Sequence, residues 1–289
     1  MRSPIFVIGS PRSGTTLIRL MLTCHRNIVI PPECSFAIWW YEKYKGWAEC
    51  SESHILGFMQ DLMQSKKIET WQINKRSLFK FLGEREPSSY SQLVSAIYEW
   101  YGLSQYGTNF KRWGDKNNWH LSHIPTIKEL FPTAYFVHII RDGRGVAGSY
   151  RELNARKIRT PYAPNLPNGI EEIAEQWKTN VETARESFER IQWENVCEIR
   201  FEDILLETEK SLRNLCYELD EDYDPSMLNY HSINKQRSLE PAEFLKWKEQ
   251  TLQPIVKSEV SRYRQILSAQ EIITFEEITG DVLRGYGYL

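Results

Sequence analysis

The residues that could do chemistry cluster in two short runs. The first is Ile5 to Thr16, IFVIGSPRSGTT. Gly9 and Gly14 bound a tight turn, and Thr15 and Thr16 open an apolar helical pattern through Leu17, Leu20 and Met21. A strand, a glycine-bounded loop and a helix start make an anion cradle, because free backbone N–H groups converge on one spot. The spacing is that of a P-loop, but Thr15 stands where a nucleotide triphosphatase needs Lys to reach the β and γ phosphates. Arg12 lies inside the turn instead. The second run is His138 to Tyr150, HIIRDGRGVAGSY. Arg141 closes an apolar strand pattern, and Ser149 follows eight residues later, about two helical turns on. Arg suits bidentate phosphate binding and a Ser hydroxyl adds a donor. Two separated anion sites call for a ligand with two separated anionic groups.

One carboxylate stands out beside them. Asn27 to Ile30 reads as a second short strand, ended by Pro31 and Pro32. Glu33 therefore emerges at a strand end, where open α/β sheets keep their ligand crevice. Asp142 is the one other strand-end acid of the kind that holds Mg²⁺ in a kinase.

The elements that must position these groups alternate strand and helix. Ile5–Ile8, Asn27–Ile30, Arg112–Lys116, Ala134–Ile140 and Val196–Arg200 read as strands. Helical patterns cover 120–131, a helix starting at Gly143, about 170–193 and 207–219, and the chain beyond about 240 is helical with a loop at Gln253–Pro254. The Pro/Asn-rich stretch 160–169 reads as a loop. The expected fold is α/β: a parallel sheet flanked by helices, a P-loop-like nucleotide-binding core in one domain over 1–289. Residues 35–110 break the alternation and read as helices at about 53–65, 76–82 and 89–101. That insertion is rich in aromatics, among them Phe36, Trp39, Trp40, Trp47, Tyr98 and Trp100. They either pack a helical cap or line a substrate pocket.

Composition sets bounds. The 289 residues carry a net charge of −2, which leaves no electrostatic footprint for nucleic acid and no polybasic membrane patch. Five cysteines without paired metal spacing read as reduced thiols, with a Cys34–Cys50 disulfide left open. No apolar run approaches the length of a membrane span and no secretory leader is visible, so a cytoplasmic location is expected. No acidic or His cluster suggests a metal. His138 reads as a core residue within a strand, while His25, His120 and His123 have helix- or loop-face readings.

Taken together, the two runs resemble the sulfotransferases that use 3′-phosphoadenosine 5′-phosphosulfate (PAPS). Ser10-Pro11-Arg12-Ser13-Gly14-Thr15-Thr16 resembles the family's 5′-phosphosulfate loop, and Arg141 through Ser149 its 3′-phosphate motif. Ile199 to Leu205 is similar to a further family stretch, with Phe201 where Tyr is frequent beside the adenine. The resemblance covers roughly 1–34 and 112–220. The Arg form of the loop is closer to tyrosylprotein and bacterial members than to cytosolic small-molecule members.

The resemblance implies a PAPS donor with PAP as product, no metal, and Pro11, Arg12, Ser13, Gly14, Thr15, Thr16, Arg141, Ser149 and Phe201 around the nucleotide. It implies Glu33, 21 residues after Arg12, as general base, with Arg12 and Lys116 neutralising charge at the leaving phosphate and the sulfonate. The expected acceptor is a hydroxyl on a small molecule, lipid or sugar. The alternatives are a peptide tyrosine, a P-loop kinase or NTPase, and a non-catalytic nucleotide-binding module.

Overall fold

The computed structural model describes residues 1–107, 110–158 and 160–289. Five strands form one parallel sheet in the order β2-β3-β1-β4-β5: β1 Ile5–Gly9, β2 Ile28–Val29, β3 Arg112–Lys116, β4 Tyr135–Ile140 and β5 Val196–Arg200. The first strand in sequence is the central one. Ile5 pairs with Gly114 on one side and Tyr135 on the other. The expected second strand shrinks to two residues, because only Ile28 and Val29 find partners, at Arg112 and Trp113 of β3.

The unbroken apolar run of β1 follows from burial on both faces, as parallel sheets require. Ile5 and Val7 face helix Thr15–Thr23 and helices Phe201–Leu206 and Thr208–Glu218. Phe6 and Ile8 face the insertion and helix Ile170–Ile191. A third cluster joins helices Gly143–Ala155, Ile170–Ile191 and Ala269–Gly285 through Val146, Trp177, Phe275 and Leu283.

The insertion is helical, with helices Glu52–Leu62, Lys75–Arg85 and Tyr90–Tyr106. Most of its aromatics pack into the core, while Trp39 is exposed. Phe36, Trp71, Tyr90, Tyr98 and Trp100 are buried, and Tyr98 stacks on Trp113 of β3 with centroids 4.2 Å apart. Segment 120–131, expected as one helix, splits into a 3₁₀ stretch Asn118–His123 and an α-helix Ile124–Leu130, with Pro125 in the first turn of the latter. All five cysteines are free thiols, Cys34 and Cys50 included. Among the described residues, no helix is long and apolar enough to cross a membrane.

Candidate active site

The cradle forms where β1 ends. Gly9 comes so close to β4 that a Cβ would lie 2.5 Å from the Ile139 carbonyl oxygen. Gly14 sits at φ +97°, and a Cβ there would meet the Phe201 ring at 2.3 Å. Both positions therefore exclude side chains. Gly14 is the N-cap of helix Thr15–Thr23 and offers no capping side chain, so the first-turn amides stay open toward the cleft. The hydroxyls of Ser10 and Ser13 are buried without a hydrogen-bond partner. Thr15 Oγ1 donates to Asn118 Oδ1 at 3.2 Å, tying the loop to the segment after β3.

Arg12 and Arg141 converge beside this loop. Arg12 has φ +68°, and its Nε donates to Ser149 Oγ at 3.0 Å while a terminal nitrogen donates to the Trp247 carbonyl at 3.1 Å. Arg141, at the end of β4, donates to the Arg12 carbonyl at 2.9 Å, and its guanidinium lies 4.6 Å from the Phe201 ring centroid. Burial, reinforced by Arg141, pulls the Arg12 pKa down to about 10. Arg141 is also lowered by burial, only partly offset by Glu202 and Glu259. Two partly buried guanidiniums with no carboxylate in contact among the described residues make a local positive field suited to an anion.

Glu33 stands across a cleft of about 510 Å³, at the end of the segment after β2. Its Oε2 accepts from Lys67 at 2.8 Å, and its Oε1 from Lys116, at the end of β3, at 3.1 Å. Lys248 Nζ is 3.8 Å from Oε2. Burial alone would raise the Glu33 pKa, but the ammonium charges of Lys116, Lys248 and Lys67 outweigh it and hold the carboxyl well below its usual range. Burial lowers Lys116 to about 8, against the upward pull of Glu33. The cleft is also lined by Pro11, Arg12, Gly14, Thr15, Thr16, Arg141 and Phe201. The glycine-bounded loop with its uncapped helix thus faces a carboxylate ringed by lysines.

The model of the sulfotransferase family matches residues 4–225. The chain belongs to the sulfotransferase family. It is 23% identical over 98% of its length to protein-tyrosine sulfotransferase A of Caenorhabditis elegans, spanning 67% of that protein. It is 24% identical over 97% of its length to the protein-tyrosine sulfotransferase of Drosophila melanogaster, spanning 48% of it, about half. In fold it is similar to the sulfotransferase domain of the Synechococcus olefin synthase, with a TM-score of 0.60, 20% identity and 96% of each chain covered. It is also similar to mouse sulfotransferase SULT7A1 complexed with PAP, with a TM-score of 0.52, 14% identity, and 98% and 86% of the two chains covered.

The sulfotransferase places its sequence-derived site residues in two groups. Glu33 and Lys116 meet directly. Arg12, by contrast, joins the second motif: its side chain is bonded to Ser149, and the Glu33 ion pairs are with lysines. The reason is local. A left-handed φ at Arg12 and the Arg141 bond to its carbonyl fix the loop so that the guanidinium points along helix Gly143–Ala155. Asp142 is the N-cap of that helix, accepting from the Arg144 amide at 2.9 Å, and pairs with the Arg144 side chain at 2.7 Å. It is therefore occupied as a structural anion. The aromatics of the insertion do not line the cleft among the described residues; Tyr162, Phe201, Tyr230 and Trp247 do.

His25, His120 and His138 are engaged elsewhere. His120 is fully buried and shares Asp115 with Tyr98, at 2.9 and 2.7 Å. His138 bonds Glu198 at 2.9 Å, and His25 the Asp222 carbonyl at 2.8 Å. Lys67 and Lys248 were invisible to sequence reasoning, since neither lies in a motif and both reach Glu33 from distant segments. Among the described residues, no group of three His, Cys, Asp or Glu side chains gathers as a metal site.

Proposed function

We propose that the protein transfers the sulfonate of PAPS to a phenolic hydroxyl, that of a tyrosine in a peptide or protein. The observation that carries the donor half is the uncapped cradle facing the Glu33–lysine cluster across one cleft. The acceptor half rests on the relatives, which are named as protein-tyrosine sulfotransferases and match nearly the whole chain. They favour a tyrosine over the small-molecule, lipid or sugar hydroxyl expected from the sequence.

The open amides of helix Thr15–Thr23 hold the 5′-phosphate, and Arg141 with Ser149 and Arg12 holds the 3′-phosphate. The acceptor oxygen attacks sulfur in line with the bridging oxygen. The new O–S bond forms as the S–O bond to the phosphate breaks, and the electron pair stays on the phosphate of PAP. Glu33 takes the acceptor proton, and Lys116 offsets charge on the sulfonate oxygens. Donor binding draws the lysines toward the new anion, which raises the basicity of Glu33 when a proton has to be accepted.

A panel of tyrosine peptides and small hydroxyl compounds, incubated with isotope-labelled PAPS and read by mass spectrometry, tests this. Label on tyrosine peptides is the expected result. Label confined to small compounds overturns the acceptor, and heat of PAP binding without any turnover reduces the protein to a binding module.

A further inference from the structure

The lysine cluster continues behind Glu33. Lys248 Nζ donates to Glu240 Oε1 at 2.6 Å while lying 3.8 Å from Glu33. Glu240 is 2% exposed, and its other oxygen takes Arg19 at 2.5 Å. Arg19 projects from the helix that follows the phosphate loop and also donates to the carbonyls of Leu239 at 2.9 Å and Ile30 at 3.2 Å. Asn234 fixes the Glu240 backbone by accepting from its amide at 2.8 Å. Lys248 is thus held by a carboxylate that is itself anchored to the cradle helix.

Two features say that Lys248 does more than balance charge. Glu33 already has two nearer lysines and Glu240 already has Arg19, so neither carboxylate needs a further partner. Among the described residues, Arg19, Lys67, Lys116 and Lys248 have only Glu33 and Glu240 within ion-pair distance, which leaves two positive charges uncompensated in a largely buried cluster. Such a surplus is costly unless an anion joins it. Lys67, Lys116, Lys248 and Glu33 all line the cleft, so the anion has access. The neighbour of Lys248, Trp247, gives its carbonyl to Arg12, which ties this segment to the phosphate loop.

Resting on the PAPS reading above, we propose that Lys248 is a catalytic residue that donates a hydrogen bond to the transferring sulfonate, with Glu240 and Arg19 as the pair that positions it. Lys248 keeps its proton throughout. The bonds that form and break, and the proton passing to Glu33, are those of the transfer itself. The depressed pKa of Glu33 fits this role, since an anion that shares Lys248 releases the carboxylate toward its ordinary basicity.

Calorimetry of the full chain with PAP and with PAPS, which differ by the sulfonate, tests the assignment. Lys248→Met should weaken PAPS about tenfold or more and leave PAP nearly unchanged, the scale of one lost charged hydrogen bond. Lys248→Arg should restore most of the PAPS preference. Glu240→Gln should lower kcat with little change in donor KM and in PAP affinity, a split that a purely structural carboxylate would not give. If Lys248→Met does not fold, Lys248→Gln, which removes the charge but keeps a donor for Glu240, carries the same comparison. Equal loss of PAP and PAPS would make Lys248 a nucleotide-phosphate ligand and overturn the proposal, as would no loss of either. Wild-type protein that fails to bind PAP would instead overturn the donor reading on which the proposal stands.

Discussion

Glu33→Gln keeps the shape of the side chain and removes both its charge and its capacity to take a proton. Glu33 accepts from Lys67 at 2.8 Å and Lys116 at 3.1 Å, and its side chain is 13% exposed. Glutamine retains one acceptor oxygen, so one charge-assisted bond is lost, about 1.5–3 kcal/mol. The ligand-free variant should therefore melt at a lower temperature. PAP supplies the missing negative charge, so the rise in Tm on adding saturating PAP should be larger for the variant than for wild type. The sign of the pH effect follows from the depressed pKa. Ionised Glu33 stabilises the fold above the unfolded-state value near ~4.3, and that contribution fades as the pH falls through the lower folded value. The variant should lose this part of its acid sensitivity. With no carboxylate to receive the acceptor proton, kcat should fall by about 10²–10⁴-fold. Turnover at saturating labelled PAPS and acceptor peptide measures it. A Glu33→Gln enzyme with a near-wild-type kcat would refute the reasoning and leave Glu33 as a counter-ion for the lysines.

Lys116, lowered to about 8, should impose an alkaline limb on kcat/KM for PAPS near that pH, because the neutral amine no longer offsets sulfonate charge. Lys116→Arg, protonated throughout, should shift that limb upward in a pH–rate profile. Arg141→Ala should weaken PAP by about 1.5–3 kcal/mol by calorimetry, with and without EDTA, since the contacts invoked are side chains and backbone amides. Gly14→Ala forces a Cβ to 2.3 Å from Phe201 at φ +97°, so PAP binding should collapse. Adding Phe201→Ala should recover part of the binding, and no recovery would place the strain in the backbone alone.

The strand–loop–helix geometry around Gly9 and Gly14 was legible because its information is local. Gly9, Arg12 and Gly14 lie within one turn, and the strand and helix that flank it have clear periods. Glu33 was legible through Pro31 and Pro32, which force a strand end. The β4–Arg141–Ser149 run was readable for the same reason, although the bond from Arg12 to Ser149 was not, since its ends lie 137 residues apart in the sequence. Aromatic content could not separate core from pocket, because burial in either place asks for the same residue types. Lys67, Lys248 and Glu240 were hidden because their roles exist only after three remote segments meet. One local hint was available: Arg19 sits among apolar residues of a helix that is buried nearly all round, where a charge needs a partner from elsewhere.

The central place of β1 has a consequence for synthesis. The strand IFVIG is made before both of its neighbours, which arrive only with Gly114 and Tyr135. Until then an apolar segment has both hydrogen-bonding edges open, a state prone to wrong pairing or capture by chaperones. The cleft matures later still, because Lys248 lies far beyond the last strand. Nascent chains halted after β5 would have every strand of the sheet but only part of the charge cluster, so nucleotide protection against proteolysis during translation should appear after sheet formation rather than with it.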